Sequence, residues 1–260
     1  MRDRLMGECM VVAHCHSLLA TLLLDGRANC KVNIYFHRNS ESLQNRCLIL
    51  YIYYQKIIMP FIHSLFQWIT DADEALLLAI NGFHTAFLDT IMWALSDKLI
   101  WVPLYIILTY FVFKRLGWKR GVVCMVFIAI MVTIVDQTCG SLIRPAVERL
   151  RPSSPDNPIS SLVHLVNGYH GGRYGFPSCH AANTMALAVF LSKVFANRRA
   201  TIALITWSVV VSYSRVYLGV HYPGDIVVGF IVGALVAMLC FKLMSMVFAM
   251  PRLALSVKHN

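Results

Sequence analysis

With 260 residues, 58% of them hydrophobic and only 14% charged, the chain is too apolar for an ordinary soluble domain. Its formal net charge of +10 does not indicate a nucleic-acid partner, because the basic residues lie mostly between apolar runs rather than along one solvated face. A transmembrane helix needs about 20 largely apolar residues, and at least five stretches approach that length. We therefore expect one membrane domain.

Residues 1–58 mix short apolar pieces with scattered polar residues and show no sustained helical periodicity. They also lack the succession of basic, apolar and small-residue regions that defines a signal peptide. We interpret this segment as a leader of undefined status and Met59 as an alternative start. Four of the eight cysteines fall in this segment, without the paired spacing of a zinc site, so we predict neither a zinc site nor a disulfide framework.

The remaining chain predicts an all-α fold, a polytopic transmembrane helical bundle over residues 59–250 followed by a cytoplasmic tail at 251–260. Residues 61–97 alternate polar and apolar positions at roughly helical spacing, which is typical of interfacial amphipathic helices. A sixth, poorer span at 47–68 stays open. The five predicted spans are 99–113, 122–143, 181–195, 202–213 and 226–248. Gly229 and Gly233 in the last span stand four apart, which favours close helix packing.

Basic residues in the short connections orient the predicted bundle. They fall in the hairpin at 114–120, at Lys193, Arg198 and Arg199, and in the tail. The positive-inside rule places these connections in the cytoplasm, so the polar loop at 144–177 and the turn at 214–225 face outward together. We accordingly predict a protein of the bacterial inner (plasma) membrane whose functional face is the periplasm or the exterior.

Three polar clusters fall on this outward face. They are Arg144 with Arg151-Pro152, then Pro177-Ser178-Cys179-His180, then Ser214-Arg215 with His221 and Asp225. Ionisable residues at membrane depth are costly and mark candidate sites. Arginine forks bind phosphate bidentately, and a helix that begins just after Ser178 turns its first N–H groups toward an anion. The clusters predict a phosphate monoester or diphosphate as the ligand.

The two histidines suggest a division of the chemistry. A neutral imidazole can attack phosphorus, and a carboxylate one helical turn away can fix its tautomer and stabilise the developing charge. His221 and Asp225 have this spacing. The leaving alkoxide needs a proton, which a second histidine can supply before it acts as a base toward water. We predict His221 as nucleophile, Asp225 as its partner and His180 as general acid and base.

The pattern R-x6-R-P, P-S-C-H and S-R-x5-H-x3-D, over residues 144–225, resembles the three-part signature of the type 2 phosphatidic acid phosphatase (PAP2) superfamily. That superfamily also contains bacterial acid phosphatases and vanadium haloperoxidases. The resemblance implies a helical bundle that requires no metal and no cofactor. It implies the same three catalytic roles, with phosphate bound by Arg144, Arg151, Ser178, Arg215 and the backbone at Cys179. The sequence departs from the pattern where Arg144 replaces the usual Lys and Cys179 replaces Gly or Ser.

The leading hypothesis is therefore a membrane phosphatase that acts on a lipid phosphate through a phosphohistidine intermediate. Candidate substrates are an isoprenyl diphosphate, phosphatidic acid, phosphatidylglycerol phosphate and a lipid A phosphate. One alternative is a phosphotransferase that passes the phosphoryl group to another lipid, and another is a non-catalytic anion transporter or binding protein. The predicted partners are the lipid substrate and the bilayer, with no nucleic acid. No motif specifies the lipid or the oligomeric state.

Overall fold

The computed structural model describes Tyr51 and residues 53–249. The predicted tail at 251–260 and the predicted leader, apart from residues 51 and 53–58, lie outside the described residues. The chain divides into two compact units, Met1–Ile62 and His63–Asn260, and the site described below lies in the second. The described residues are mainly helical and contain no strand, only one isolated antiparallel bridge between Leu150 and Tyr174. The predicted all-α class is thus confirmed for this part of the chain.

Seven α-helices, α1 to α7, account for most of the described residues. They are α1 Met59–Gly82, α2 Ala86–Ser96, α3 Val102–Asp136, α4 Arg144–Val147, α5 Cys179–Phe195, α6 Arg198–Tyr217 and α7 Pro223–Ala249. A π-helical turn at Tyr54–Ile58 precedes α1, a 3-10 turn at Leu99–Trp101 precedes α3, and a π-helical segment at Gln137–Ile143 joins α3 to α4. Two further 3-10 turns, Ser160–Leu162 and Val166–Gly168, interrupt the loop between α4 and α5.

Side-chain caps and a proline explain where the last three helices begin. The hydroxyl oxygen of Ser178 accepts a hydrogen bond from the N–H of Ala181 at 3.4 Å at the start of α5. Asn197 Oδ1 accepts from the N–H of Ala200 at 3.1 Å at the start of α6. Both contacts satisfy amide groups that have no partner inside the helix. Helix α7 opens on Pro223, which has no N–H to satisfy at that position.

The long helix α3 is broken at Gly117, where φ is +73° and ψ is 174°. Glycine adopts this conformation without the clash that a Cβ would cause. On the far side of the break, Gly121 lies against the ring of Phe113, so that a Cβ on Gly121 would come within 2.8 Å of Phe113 Cε1. Eight residues of straight helix would separate the two by about 12 Å. The chain therefore turns sharply inside the predicted hairpin at 114–120.

Two helical stretches are long and apolar enough to cross a membrane, Leu99–Val147 and Pro223–Ala249. The pair Tyr54–Gly82 and Ala86–Ser96, bent by 117°, adds a third if it is one span, and Cys179–Phe195 is apolar but shorter. The described residues thus support two or three candidate spans, a coarser result than the five predicted. The difference arises partly because Leu99–Val147 contains two of the predicted spans, on either side of Gly117.

Helix α5 lies at the centre of the bundle and packs most extensively on α6 and α7. Its contact with α7 is close because two α7 glycines meet its backbone. A Cβ on Gly229 would lie only 2.7 Å from the carbonyl oxygen of Ser178, and Gly233 approaches the backbone of Ala182. The predicted role of this glycine pair in close packing is confirmed. The packing brings the N-terminus of α5 to the first turn of α7, where the N–H of Ser178 donates to the carbonyl oxygen of Asp225 at 3.1 Å.

Candidate active site

His221, the predicted nucleophile, lies in the short loop between α6 and α7 and is 1% exposed. Its Nδ1 lies 3.3 Å from Oδ2 of Asp225, a fully buried residue on the first turn of α7. Its Nε2 lies 3.1 Å from Arg151 Nη1. Because a guanidinium only donates hydrogen bonds, Nε2 must be the acceptor and Nδ1 carries the hydrogen directed at Asp225. This is the tautomer that presents a free Nε2 lone pair for nucleophilic attack.

Three arginines place their positive charge around this imidazole. Burial, and then the charges of Arg151, Arg215 and Arg144, lower the pKa of His221 well below its usual range. The imidazole is therefore neutral near pH 7, as attack requires. Burial, and then repulsion from the other two arginines, lowers the pKa of Arg151 to about 10. Among the described residues, none of these three arginines forms an ion pair with a carboxylate, so their combined charge suits an external anion.

Arg151 is fixed by the loop that joins α4 to α5. The antiparallel bridge between Leu150 and Tyr174 holds the two ends of this loop side by side. Arg151 Nε donates to the carbonyl oxygen of Tyr174 at 3.1 Å, and its Nη1 donates to that of Val220 at 3.0 Å. Gly175 makes room for the side chain, since a Cβ there would lie 3.0 Å from Arg151 Cγ. The guanidinium is thus held rigidly beside the loop that carries His221.

The two other arginines, Arg144 and Arg215, each have a buried N–H group that can bind a ligand. Arg215, on α6, donates from Nη1 to Ser96 Oγ at the end of α2, and its guanidinium carbon lies 5.9 Å from the ring centroid of Tyr169. Arg144 Nη2 lies 2.9 Å from the thiol sulfur of Cys179. In the described part of the chain, the Nε atoms of both arginines are buried without a hydrogen-bond partner. Buried donors of this kind are costly unless they meet an acceptor, and a phosphate oxygen is a suitable one.

The start of α5 contributes the remaining predicted site residues. His180, on the first turn of α5, is partly buried and close enough to Arg215 and His221 for electrostatic interaction. Ser178 caps α5 through its oxygen, which leaves its hydroxyl hydrogen to donate elsewhere. Cys179 contacts Arg144 through its sulfur, a contact that the predicted backbone role did not include. The structure thus brings all eight predicted site residues together.

Sequence reasoning missed two charged residues that adjoin this group. Arg149 Nη1 donates to Asp225 Oδ1 at 2.9 Å, and Arg149 Nη2 donates to Asp73 Oδ2 at 2.7 Å. Arg149 stands only two residues before Arg151, but no spacing rule links it to a carboxylate 76 residues further on. Asp73 lies in the amphipathic pattern of α1, where an acidic residue ordinarily indicates a solvated helix face.

Among the described residues, no group of three or more His, Cys, Asp and Glu side chains is arranged to hold a metal ion. The site instead offers a neutral imidazole nitrogen, a carboxylate partner, a second histidine and three arginines. Such a set can bind a phosphate, transfer its phosphoryl group to histidine and protonate the leaving oxygen. The fold and this group of residues together fit a helical membrane protein whose histidines and arginines could bind and react with a phosphate.

Comparisons with known proteins specify the class further. The model of the PAP2 superfamily matches residues 121–249. A lipid A 4'-phosphatase of Bacteroides thetaiotaomicron is 48% identical over 167 residues, which cover 64% of this chain and 74% of the relative. A lipid A 4'-phosphatase of Porphyromonas gingivalis is 36% identical over 178 residues, which cover 68% and 74%. The chain belongs to the PAP2 superfamily, in its membrane lipid phosphatase branch.

A solved structure supports the same fold. The PAP2-type phosphatidylglycerolphosphate phosphatase of Bacillus subtilis superposes with a TM-score of 0.51 at 24% sequence identity. The superposition covers 69% of this chain and 87% of the solved one.

Proposed function

We propose that this protein is a metal-independent phosphatase that removes the 4'-phosphate of lipid A through a phosphohistidine on His221. The observation that carries the phosphatase activity is the buried, neutral imidazole, with Nδ1 directed at Asp225 and Nε2 beside Arg151. The names of the two relatives support lipid A within the class of lipid phosphates. A phosphatase domain at 59–250, with five spans and a possible sixth, completes the proposal.

In the first step, the three arginines and the hydroxyl of Ser178 bind the non-bridging oxygens of the phosphate. Arg151 exchanges its contact with Nε2 for a phosphate oxygen, and the freed Nε2 attacks phosphorus. The bond between phosphorus and the lipid oxygen breaks, and His180 donates a proton to that oxygen. Burial, and then the charge of Arg215, lowers the pKa of His180 to about 3 in the protein alone. The negative charge of the bound phosphate opposes this shift, which lets His180 hold the proton before the bond breaks. Asp225 stabilises the positive charge that His221 acquires.

In the second step, His180 takes a proton from a water molecule, whose oxygen attacks the phosphorus. The phosphorus–nitrogen bond breaks, inorganic phosphate leaves, and His221 returns to its neutral form. His180 has then recovered the proton that it gave away, so the cycle closes without another reactant. The arginines stabilise the charge on the equatorial oxygens in both transition states.

The experiment that tests this proposal measures phosphate release by purified protein from lipid A 1,4'-bisphosphate, undecaprenyl diphosphate, phosphatidic acid and phosphatidylglycerol phosphate. We expect lipid A to be the best substrate and to lose its 4'-phosphate. EDTA should leave the rate unchanged, and vanadate, which adopts the trigonal bipyramidal geometry of the transition state, should inhibit.

Each part of the proposal has its own contrary result. Faster release from another lipid would reject lipid A as the substrate, and a strict requirement for added metal would reject the mechanism. Transfer of the phosphoryl group to a second lipid, in place of release to water, would establish the phosphotransferase alternative. Binding of the lipid phosphate without either reaction would favour an anion-binding protein.

The site is proposed to lie at the non-cytoplasmic surface of the inner membrane, where a head group can enter while its acyl chains stay in the bilayer. Two exposed positions test this orientation. Cysteines introduced by Lys119→Cys and Gly172→Cys, in a background without other accessible cysteines, should react oppositely with an impermeant thiol reagent. Gly172→Cys should be labelled in intact cells because its loop faces outward, and a Cβ there has open space. Labelling of Lys119→Cys alone would reverse the orientation.

A further inference from the structure

We infer that Arg149 and Asp73 are positioning residues that keep Asp225 ionised and aligned on the imidazole of His221. Neither residue belongs to the three motifs that carried the sequence prediction. The inference rests on the proposed function of His221 as the nucleophile. It assigns to α1, which contributes no predicted site residue, a direct part in the orientation of the nucleophile.

Arg149 is held on three sides. Its Nη1 donates to Asp225 Oδ1 at 2.9 Å, and its Nη2 donates to Asp73 Oδ2 at 2.7 Å. Its guanidinium carbon lies 3.9 Å from the ring centroid of Tyr222, within the range of a cation–π contact. The side chain is only 24% exposed. An arginine restrained in this way has one orientation, in contrast to a surface ion pair between flexible side chains.

The two oxygens of Asp225 serve different partners. Oδ2 accepts from His221 Nδ1 at 3.3 Å and from the N–H of Tyr222 at 3.0 Å. Oδ1 accepts from Arg149. The carboxylate is fully buried, and a buried charge is stable only when it is paired and hydrogen-bonded. Without Arg149, burial would favour the neutral acid, which neither holds the Nδ1 hydrogen as firmly nor balances the charge of a phosphohistidine.

Asp73 extends the chain of contacts to helix α1. Its Oδ2 accepts from Arg149, and its Oδ1 accepts from the N–H of Gly224 at 2.7 Å, at the start of α7. The side chain of Asp73 is 10% exposed. Gly224 permits this approach, since a Cβ there would lie 2.8 Å from Asp73 Oδ2. One carboxylate therefore holds both the arginine and the helix turn that carries Asp225.

The charges alternate along this series, from Asp73 to Arg149, Asp225 and the developing cation of His221. Arg149 keeps the Asp225 carboxylate ionised, while Asp73 shares the guanidinium, fixes its orientation and leaves Asp225 Oδ2 available to the imidazole. Loss of Arg149 leaves a buried carboxylate unpaired, whereas loss of Asp73 leaves Arg149 free to rotate away from Oδ1. Both changes should act on the chemical step and not on substrate binding, since neither side chain is directed at the phosphate.

If Arg149 and Asp73 only stabilised the packing of α1 against α7, a different result would be expected. The substitutions would then lower the yield or the unfolding temperature of the variants and leave turnover per folded molecule unchanged. They would also leave the tautomer of His221 as it is. The decisive measurements are therefore kcat and KM of folded protein, together with the 15N spectrum of the histidines, in which His221→Asn identifies the His221 signals.

The experiment compares Arg149→Met, Arg149→Lys and Asp73→Asn with two matched controls. Asp71→Asn removes an exposed carboxylate from the same helix, where it accepts only from Gln67. Arg173→Met removes an exposed arginine from an ion pair with Asp156 in the same loop. Outer partners that orient a metal-ligating histidine typically contribute about 10- to 100-fold to activity, and we take the same scale for His221. We expect Arg149→Met to lose that much in kcat with KM little changed, and Arg149→Lys to recover part of it.

We expect Asp73→Asn to show a smaller loss of kcat, and both controls to match the unmodified protein. In the 15N spectra, His221 should change from one Nδ1–H tautomer to a mixture in Arg149→Met. An unchanged kcat and an unchanged tautomer in Arg149→Met would overturn the inference, and if that variant does not fold, the same result in Asp73→Asn would do so. If the unmodified protein acts on no lipid phosphate, the proposed function fails. The 15N spectra then decide the positioning role alone.

Discussion

Replacing His221 with Ala or Asn is expected to reduce phosphate release by about 10⁴-fold or more, because removal of a nucleophile leaves only the contribution of substrate binding and charge stabilisation. The side chain is buried, its Nδ1 pairs with Asp225, and its Nε2 is the nitrogen that reaches the phosphate. Asn fills part of the same volume, so it separates the loss of chemistry from the loss of packing. The measurement is phosphate release per folded molecule, with membrane yield as the check on folding.

A second measurement on the same protein tests the intermediate directly. Rapid acid-free quenching of the unmodified protein with radiolabelled substrate should trap phosphate that is labile in acid and stable in base, as expected of a phosphoramidate. The label should be absent from His221→Asn, which lacks the nucleophilic nitrogen. Turnover by His221→Asn at the rate of the unmodified protein would remove His221 from the mechanism.

Replacing Arg144 with Ala is expected to lower kcat/KM about 30- to 1,000-fold, which corresponds to about 2 to 4 kcal/mol of transition-state stabilisation. The guanidinium is one of three that lower the pKa of His221, and its Nε is buried without a partner among the described residues. Electrostatic donors act strongly in such a partly dehydrated site. Arg144→Lys should recover a substantial part of the activity, since Lys is the family's usual residue here and retains the charge but not the fork.

A membrane-anchoring role for Arg144 predicts another pattern. In that case, Arg144→Ala would lower the yield in the membrane while the activity per folded molecule stays the same. The matched control is Lys119→Ala, which removes a cation from the connection at the opposite end of the predicted spans. Unchanged specific activity in Arg144→Ala would remove this residue from the site. An equal loss in Lys119→Ala would point to a general effect of charge on insertion.

The grouping of the candidate site residues could be predicted from the sequence because their chemistry conflicts with their surroundings. Arginines, histidines and an aspartate are energetically costly beside apolar spans, so their presence in three ordered clusters indicates a common binding site. The interval between His221 and Asp225 is one helical turn, a local relation that spacing reveals. Gly117 was likewise visible as part of a basic connection, and the structure has a turn there.

The remaining contacts depend on long-range packing that no spacing rule contains. Arg149 meets Asp225, and Asp73 meets Gly224, only because α1 and the loop after α4 both pack against the start of α7. The same holds for Ser96, which reaches Arg215 across 119 residues of sequence. In the sequence alone, Asp73 and Arg149 look like solvated surface charges and Ser96 looks like a helix end. Nothing local indicates that they take part in the site.

By itself, then, the sequence determined the helical class and the polar clusters and predicted the roles of the two histidines, because hydropathy and short spacings depend on neighbouring residues alone. Only the tertiary structure decided the tautomer of His221, which follows from the placement of Arg151 against Nε2 and of Asp225 against Nδ1. Only it revealed that Arg149 pairs with the buried carboxylate of Asp225 and that Asp73 holds Arg149 in place. The physical reason is that buried charges are stabilised by partners a few ångströms away in space. The fold decides which residues come that close, whatever their separation in the sequence.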